Sequence, residues 1–324
     1  MGISDRFGSH LNCIMKKTSP ILKVAHWSGA AVLFAMMLCS CTSSSSDSEV
    51  KVMLLTGQSS MYHNWKLSSV LMEKHLAAVN HFEVSTVVSP AQGEDMSGFL
   101  PEFDGYDVVV LDYEGDTWPA AIKSALEKFV GDGGGLVSVH ATDNAFGDWP
   151  GFNEMIGVGG WGGRGDGFGP KIHWFEGGMK LLQTPGSATH PAKHDFEVVT
   201  RAPEHPVMKG LPASWLHAHD EIYSRLRGPA QNVTILATAS ADPEKIARGT
   251  GNNEPMLMDI RYGKGRVFHT TLGHCNKDDD LSVKALNCVG FIVTLQRGTE
   301  WAATGTVTQS IPSDFPGSDV VSVR

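Results

Sequence analysis

The feature that most constrains this chain is the alternation of two hydrophobic periods from Val50 onward. Lys51–Thr56 is a short apolar run ending at Gly57. Asn64–Ala78 then sets Trp65, Leu67, Val70, Leu71 and Leu76 at helical spacing, with Glu73 and Lys74 off that face. Phe82–Val88 and Asp107–Leu111 read as further strands, and Pro119–Val130 as a helix with proline in its first turn and glycines 131–135 at its end. Gly135–His140 is apolar enough for a strand buried on both faces. Strand and helix in alternation specify a parallel sheet covered by helices. Strands are expected again at Phe196–Thr200, Val233–Ala239, Met256–Tyr262 and Arg266–Leu272, the last two joined by a Gly263-Lys264-Gly265 hairpin, and Leu281–Arg297 closes as a helix. From about 141 to 195, glycine, tryptophan and histidine abound and no period emerges. So long a loop with so many aromatics is expected to be ordered and functional. One α/β domain with an elaborated insert fits 324 residues better than two domains.

The segment before Val50 reads as an address. Met15-Lys16-Lys17 is basic, and Val24–Leu38 is a nearly unbroken apolar stretch of 15 residues, short of the roughly 20 that span a bilayer. Leu38-Cys39-Ser40-Cys41 resembles a bacterial lipobox. A signal peptide over 1–40 is therefore expected, with Cys41 lipidated, residues 41–49 as a Ser-rich tether, and 1–14 upstream of the true start. Thr42 beside the lipidated cysteine favours the outer membrane or its periplasmic face; an uncleaved signal anchor is the alternative. Export removes Cys13 and Cys39 and commits Cys41 to lipid, which excludes a cysteine metal cluster and leaves Cys275 and Cys288; the two could pair in an oxidising compartment, but Cys288 lies in an apolar stretch and buried free thiols are the expectation. It also takes the net charge from −9 to −12, because Arg6, Lys16, Lys17 and Lys23 leave with a single acid, Asp5. That acidity argues against nucleic acid as a partner, since phosphate contacts need clustered Lys and Arg. Contact with a membrane is expected through the lipid anchor only.

In open α/β sheets, ligands bind beyond the carboxyl ends of the strands. The polar residues at those ends are Gln58, Tyr62 and His63, then Asp112, Tyr113 and Glu114, then His140, Asp143 and Asn144, and last Gly273, His274 and Asn276. His63, His140 and His274 come from separate strand ends and are the candidate catalytic residues. Imidazole shuttles protons near neutral pH or ligates a divalent metal such as zinc, and both chemistries stay open. Chance alone would place some of the 12 histidines of the exported part near strand ends. A second group is His217–Tyr223. If extended, its alternation puts His217, His219 and Glu221 on one face and Asp220 on the other. His219 adds a further candidate metal ligand, and His219, Asp220, Glu221 and Tyr223, with Asp143 and Asn144, are candidate substrate contacts. A solvated strand edge accounts equally well for His217. His190 and His205 each precede proline and read as mainly structural. The glycines at 131–135 end a helix and precede a strand, the reverse of a dinucleotide loop, so no redox cofactor is required.

These residues sit in segments that carry a family resemblance: TGQSSMYHNW at 56–65, YDVVVLDYEGDTWP at 106–119, GGGLVSVHATDNAFGDWPGFNEMIGVGGWGGR at 133–164, EHPVMKGLP at 204–212, HDEIYSRL at 219–226, PMLMDIRYGKGRVFHTTLGH at 255–274 and TEWAATG at 299–305. The chain resembles the ThuA-like (trehalose utilisation) family over nearly all of 50–305, leaving 306–324 as a C-terminal tail. The resemblance implies a flavodoxin-like three-layer α/β/α sandwich, similar to class I glutamine amidotransferases. Those enzymes present a cysteine nucleophile at a strand–turn–helix elbow. Here the strand GLVSVH ends in His140-Ala141, which excludes glutamine hydrolysis through a thioester. Cys275 follows a different strand and would need a depressed pKa. What the resemblance implies instead is carbohydrate catabolism beside sugar dehydrogenases, on 3-keto glycosides. A 3-keto group acidifies the C2 proton, a base such as His140 or His274 removes it, a cation or polar donor steadies the enolate, and the C1 substituent is expelled. Trp149, Trp161 and Trp174 offer platforms for a sugar ring or packing within the insert. The other expectation is a non-catalytic sugar-binding or scaffold lipoprotein, which needs platforms and carboxylates but no converging histidines.

Overall fold

Alternating side chains along the first strand already divide the interior in two. In the computed structural model, which describes residues 49–324, Val50, Val52 and Leu54 of β1 (Val50–Thr56) join one apolar cluster, and Met53 and Leu55 join another. The expected signal peptide over 1–40, the Cys41 lipidation site and the tether through residue 48 lie outside the described residues. The chain continues through α1 (Trp65–Ala77), β2 (Phe82–Val88), β3 (Val108–Leu111), α2 (Ala120–Asp132), β4 (Gly135–Val139) and α3 (Pro150–Ile156). A hairpin of β5 (Lys171–Phe175) and β6 (Gly178–Leu182) follows, then β7 (His194–Thr200), β8 (Ser214–Asp220), β9 (Val233–Ala239), β10 (Glu254–Tyr262) and β11 (Gly265–Thr270). Two helices, α4 (Lys284–Asn287) and α5 (Val289–Thr304), close the chain.

Among the described residues, nine strands form one sheet in the order β2-β1-β3-β4-β11-β10-β9-β7-β8. The five strands from β2 to β11 run parallel, and the remaining four add antiparallel. Helices α1 and α5 pack their apolar sides against one face through Leu71, Met72, Leu76, Phe291 and Leu295. Helices α2 and α3 cover the other through Ile122, Leu126, Phe152 and Met155. The result is the expected three-layer α/β/α arrangement. Its parallel half brings the carboxyl ends of β1, β3, β4 and β11 to one edge. Among the described residues no helix is long and apolar enough to cross a membrane.

The insert read as aperiodic holds α3 and the β5–β6 hairpin, and between them it is ordered by side chain to backbone bonds. Buried Arg164 donates to the carbonyls of Ala145 (2.6 Å) and Gly160 (3.1 Å) and to Asn153 Oδ1 (2.9 Å). Phe146 and Trp149 pack beside Trp118, and Phe152 packs against both of them.

The expected closing helix is divided. Cys288 is extended (ψ 127°), and the Val289 N–H that would continue the first helix donates to the Ser322 carbonyl at 2.9 Å. The tail 306–324 is thus part of the fold. Leu216 N–H donates to Gly317 O (2.7 Å), and Phe315 packs against fully buried Trp215, with centroids 5.6 Å apart. Truncation after Gln309 is expected to cost about 2–4 kcal/mol, because it uncovers Trp215 and frees these backbone groups. Urea unfolding of the truncated protein checks this; an unchanged midpoint would show that the tail contributes nothing.

Candidate active site

Three imidazoles meet where the sheet's strand ends converge. His140 follows β4 directly, with φ +44°, a left-handed conformation that a non-glycine residue adopts only when its surroundings hold it there. It is 3% exposed, its ring lies against Tyr223 (centroids 4.3 Å), and its Nδ1–H donates to the Thr271 carbonyl at 2.6 Å. His274 follows Gly273, whose φ of +110° and whose missing Cβ, which would sit 2.8 Å from the Phe291 ring, both require glycine. His274 Nε2 lies 2.6 Å from Asn276 Oδ1 and accordingly donates to it. His63 stands in the loop between β1 and α1, and its Nδ1–H donates to Glu114 Oε2 at 2.8 Å. Ring centroids are 5.0–5.4 Å apart, and one ring nitrogen from each histidine lies within 4.8 Å of the other two.

Asp220, at the end of β8, anchors this arrangement from behind. Its fully buried carboxylate accepts from His217 Nε2 (2.8 Å), Glu221 N (2.8 Å), Gly273 N (2.7 Å) and His274 N (3.1 Å). Burial opposes its charge, but the His217 partner and these donors hold the carboxyl well below the usual carboxylate range. For His217, burial likewise opposes charge, and the Cys288 sulfur and Asp220 outweigh it, raising its pKa to about 10. The site histidines go the other way. Burial lowers His140 well below the ordinary value and His274 to about 4, so both are neutral at pH 7. Burial raises Glu221 to about 8, helped by neighbouring Asp220.

Above the trio opens a cavity of about 780 Å³. His63, His274, Glu221, Tyr223, Asn144 and Trp161 line it. Glu221 Oε2 is 3.3 Å from His274 Nδ1, and the Tyr223 hydroxyl is 3.3 Å from His63 Nε2. Trp161, 36% exposed, meets the Tyr223 ring edge-on at 4.9 Å.

Other candidates lie elsewhere. Trp149 is buried in the second core, donates its indole N–H to Glu127 and stacks on Phe152, so it belongs to loop packing. Trp174 packs under the Arg201 guanidinium. Asp143 is fully buried and faces His269 Nε2 at 3.5 Å, outside the cavity lining. The strict alternation expected for 217–221 fails, because the β7–β8 register shifts between His194 and Phe196 and His219 takes φ +39°. His217 and Asp220 therefore turn inward together. His219 is exposed, its backbone N–H bonded to Asp195 Oδ1, and it stands apart from the other three candidate metal ligands. His190, read from its sequence as structural, is in the cavity wall with Nδ1 3.2 Å from Glu221 Oε1. His205 faces Asp259 at 3.5 Å. Arg248, from the β9–β10 loop, and Lys277 also reach the cavity; neither carried a motif or period that would have marked it. Cys275 is a buried free thiol that burial pushes up to about 12, which removes it as a nucleophile.

The ThuA family, described as trehalose utilisation, matches residues 51–302. Among solved structures, a ThuA-like protein from Parabacteroides merdae is 44% identical, covers 85% of this chain and 97% of its own, and superposes with a TM-score of 0.80. A ThuA-like protein from Bacteroides uniformis is 18% identical over 80% of this chain and 95% of its own, with a TM-score of 0.51, a likeness of fold alone. No curated protein matches the chain.

Proposed function

Since the chain belongs to the ThuA family, described as trehalose utilisation, we propose that it processes carbohydrate, converting or cleaving a 3-keto glycoside in the cavity above His63, His140 and His274. The observation that supports this reading most is the convergence of three imidazoles, two of them held neutral by burial, at a cavity lined by His63, His274, Trp161, Tyr223 and Glu221, with His140 buried behind the other two rings. A module that only bound sugar would need the rings and the carboxylate but not the trio.

In this reading the 3-keto group draws electrons from C2, and the C2 proton passes to a basic group at the cavity floor. The C–H electron pair becomes an enolate, which collapses to a C1–C2 double bond as the C1–O bond breaks. The departing oxygen takes a proton from the cavity wall, where Glu221 stands beside His274. A sugar dehydrogenase acting on C3 supplies the substrate, and the domain works outside the inner membrane on a lipid at Cys41.

Incubating the purified protein with a 3-keto disaccharide and with the unoxidised disaccharide, followed by NMR, is expected to show consumption of the keto sugar alone. Binding without turnover of either would sink the enzymatic reading in favour of a sugar-binding lipoprotein.

A further inference from the structure

The hydrogen bonds around the three imidazoles decide which nitrogens carry protons. A backbone carbonyl only accepts, so His140 spends its Nδ1–H on Thr271 and its Nε2 is bare. Glu114 lies within 2.8 Å of His63 Nδ1, which places that proton on Nδ1 and leaves Nε2 bare. Asn276 Oδ1 takes the proton of His274 Nε2 and leaves Nδ1 bare. Yet His140 Nε2 and His274 Nδ1 lie 3.0 Å apart. Two facing lone pairs at hydrogen-bond distance repel unless something positive stands between them. The Tyr223 hydroxyl, 3.3 Å from His63 Nε2, can satisfy only that third nitrogen. An imidazolium would also resolve the conflict, but both rings are 3% exposed, where a charge without a counter-ion is costly.

The geometry points to His63, His140 and His274 as a three-histidine site for a borderline divalent cation of the zinc, cobalt or nickel kind, with its remaining position open to the cavity. Ligands around a tetrahedral zinc at about 2.0–2.1 Å are about 3.3–3.4 Å apart, close to the His140–His274 separation. In each ring the second nitrogen is tied to an oxygen, of a carboxylate, a carbonyl or an amide, which is how proteins fix the tautomer of a metal-binding histidine. On the cavity side Glu221 Oε2, 3.3 Å from His274 Nδ1, can hydrogen-bond a water or substrate oxygen at the open position. The inference stands on the imidazoles and not on the sugar. One alternative has definite chemistry: turning the Asn276 amide would let its NH₂ donate to His274 Nε2, freeing Nδ1–H for His140 and closing the trio as a hydrogen-bonded chain.

The test uses protein stripped with EDTA and dialysed, titrated with zinc and with cobalt by calorimetry, thermal melting and visible absorption. One cation per chain is expected, with a raised melting temperature and a tetrahedral cobalt spectrum. His63→Ala and His274→Ala are each expected to weaken binding by about 100-fold or more, and Glu114→Gln by about 10–100-fold. Circular dichroism establishes that each variant is folded. No cation uptake by the wild type, with long-range ¹⁵N NMR placing a proton on His274 Nδ1, would overturn the inference in favour of the hydrogen-bonded chain. Cation uptake without keto-sugar turnover leaves the site standing and removes the sugar reading. Turnover in a protein that takes up no cation does the opposite.

Discussion

Asp220→Ala is expected to lose about 3–5 kcal/mol of folding stability, because it breaks a fully buried ion pair and strands the partner charge. The carboxylate has no solvent to fall back on, and its removal orphans the His217 imidazole and the backbone N–H groups of Glu221, Gly273 and His274. Each buried donor left unpaired costs about 1–3 kcal/mol before relaxation. The pH dependence carries a definite sign. Asp220 has a depressed pKa when folded, so its contribution is present above the unfolded value of about 3.9 and fades as pH falls toward the folded one. His217 has a raised pKa, so its contribution is complete below its unfolded value of about 6.5 and is lost as pH rises through about 10. Wild type and variant should therefore differ most between about pH 4 and 6.5, with the gap narrowing on the alkaline side. Urea unfolding at pH 5 and pH 9 checks this, and an identical gap at both would mean that His217 carries no proton in the folded state. Because Asp220 fixes the Gly273-His274 backbone, keto-sugar turnover should fall along with stability.

The parallel half of the sheet was readable because each strand there is an apolar run followed by a helix of different period. β1, β2 and β4 fall within a residue of their expected bounds. The three histidines were readable for the same reason, since residues after parallel strands share one edge whatever their separation in sequence. What escaped was set by contacts that leave no periodic trace. The bulge that turns His217 and Asp220 inward depends on the register of β7 against β8. The break between α4 and α5 depends on a carbonyl 34 residues beyond Cys288, at Ser322. The insert is tied down by two buried arginines, Arg164 and Arg227, and a buried arginine looks like a surface one in a sequence. His190 reached the cavity wall from that insert, so its flanking proline was the only local signal, and it pointed to structure.

His140→Asn is expected to lower keto-sugar turnover by about 10²–10⁴-fold, the usual range for losing a positioned acid/base group, while melting close to the wild type. Asparagine suits the position for two reasons. It tolerates the left-handed conformation that His140 adopts at φ +44°, and its amide N–H can replace Nδ1–H on the Thr271 carbonyl. What it lacks is the bare Nε2 that faces His274. His140→Ala is the less informative change, since it leaves the Thr271 carbonyl buried and unpaired at about 1–3 kcal/mol and so mixes structural with chemical loss. His63→Ala gives an independent check from the half-buried loop, where Glu114 keeps some contact with the cavity and the stability cost should stay below about 1 kcal/mol. If both variants stay folded and both lose turnover, the trio works as lone-pair donors at the reacting centre. A His140→Asn protein that keeps more than about a tenth of wild-type turnover, far above the loss expected for an acid/base group, would instead assign that buried imidazole to holding β4 against the β11 end.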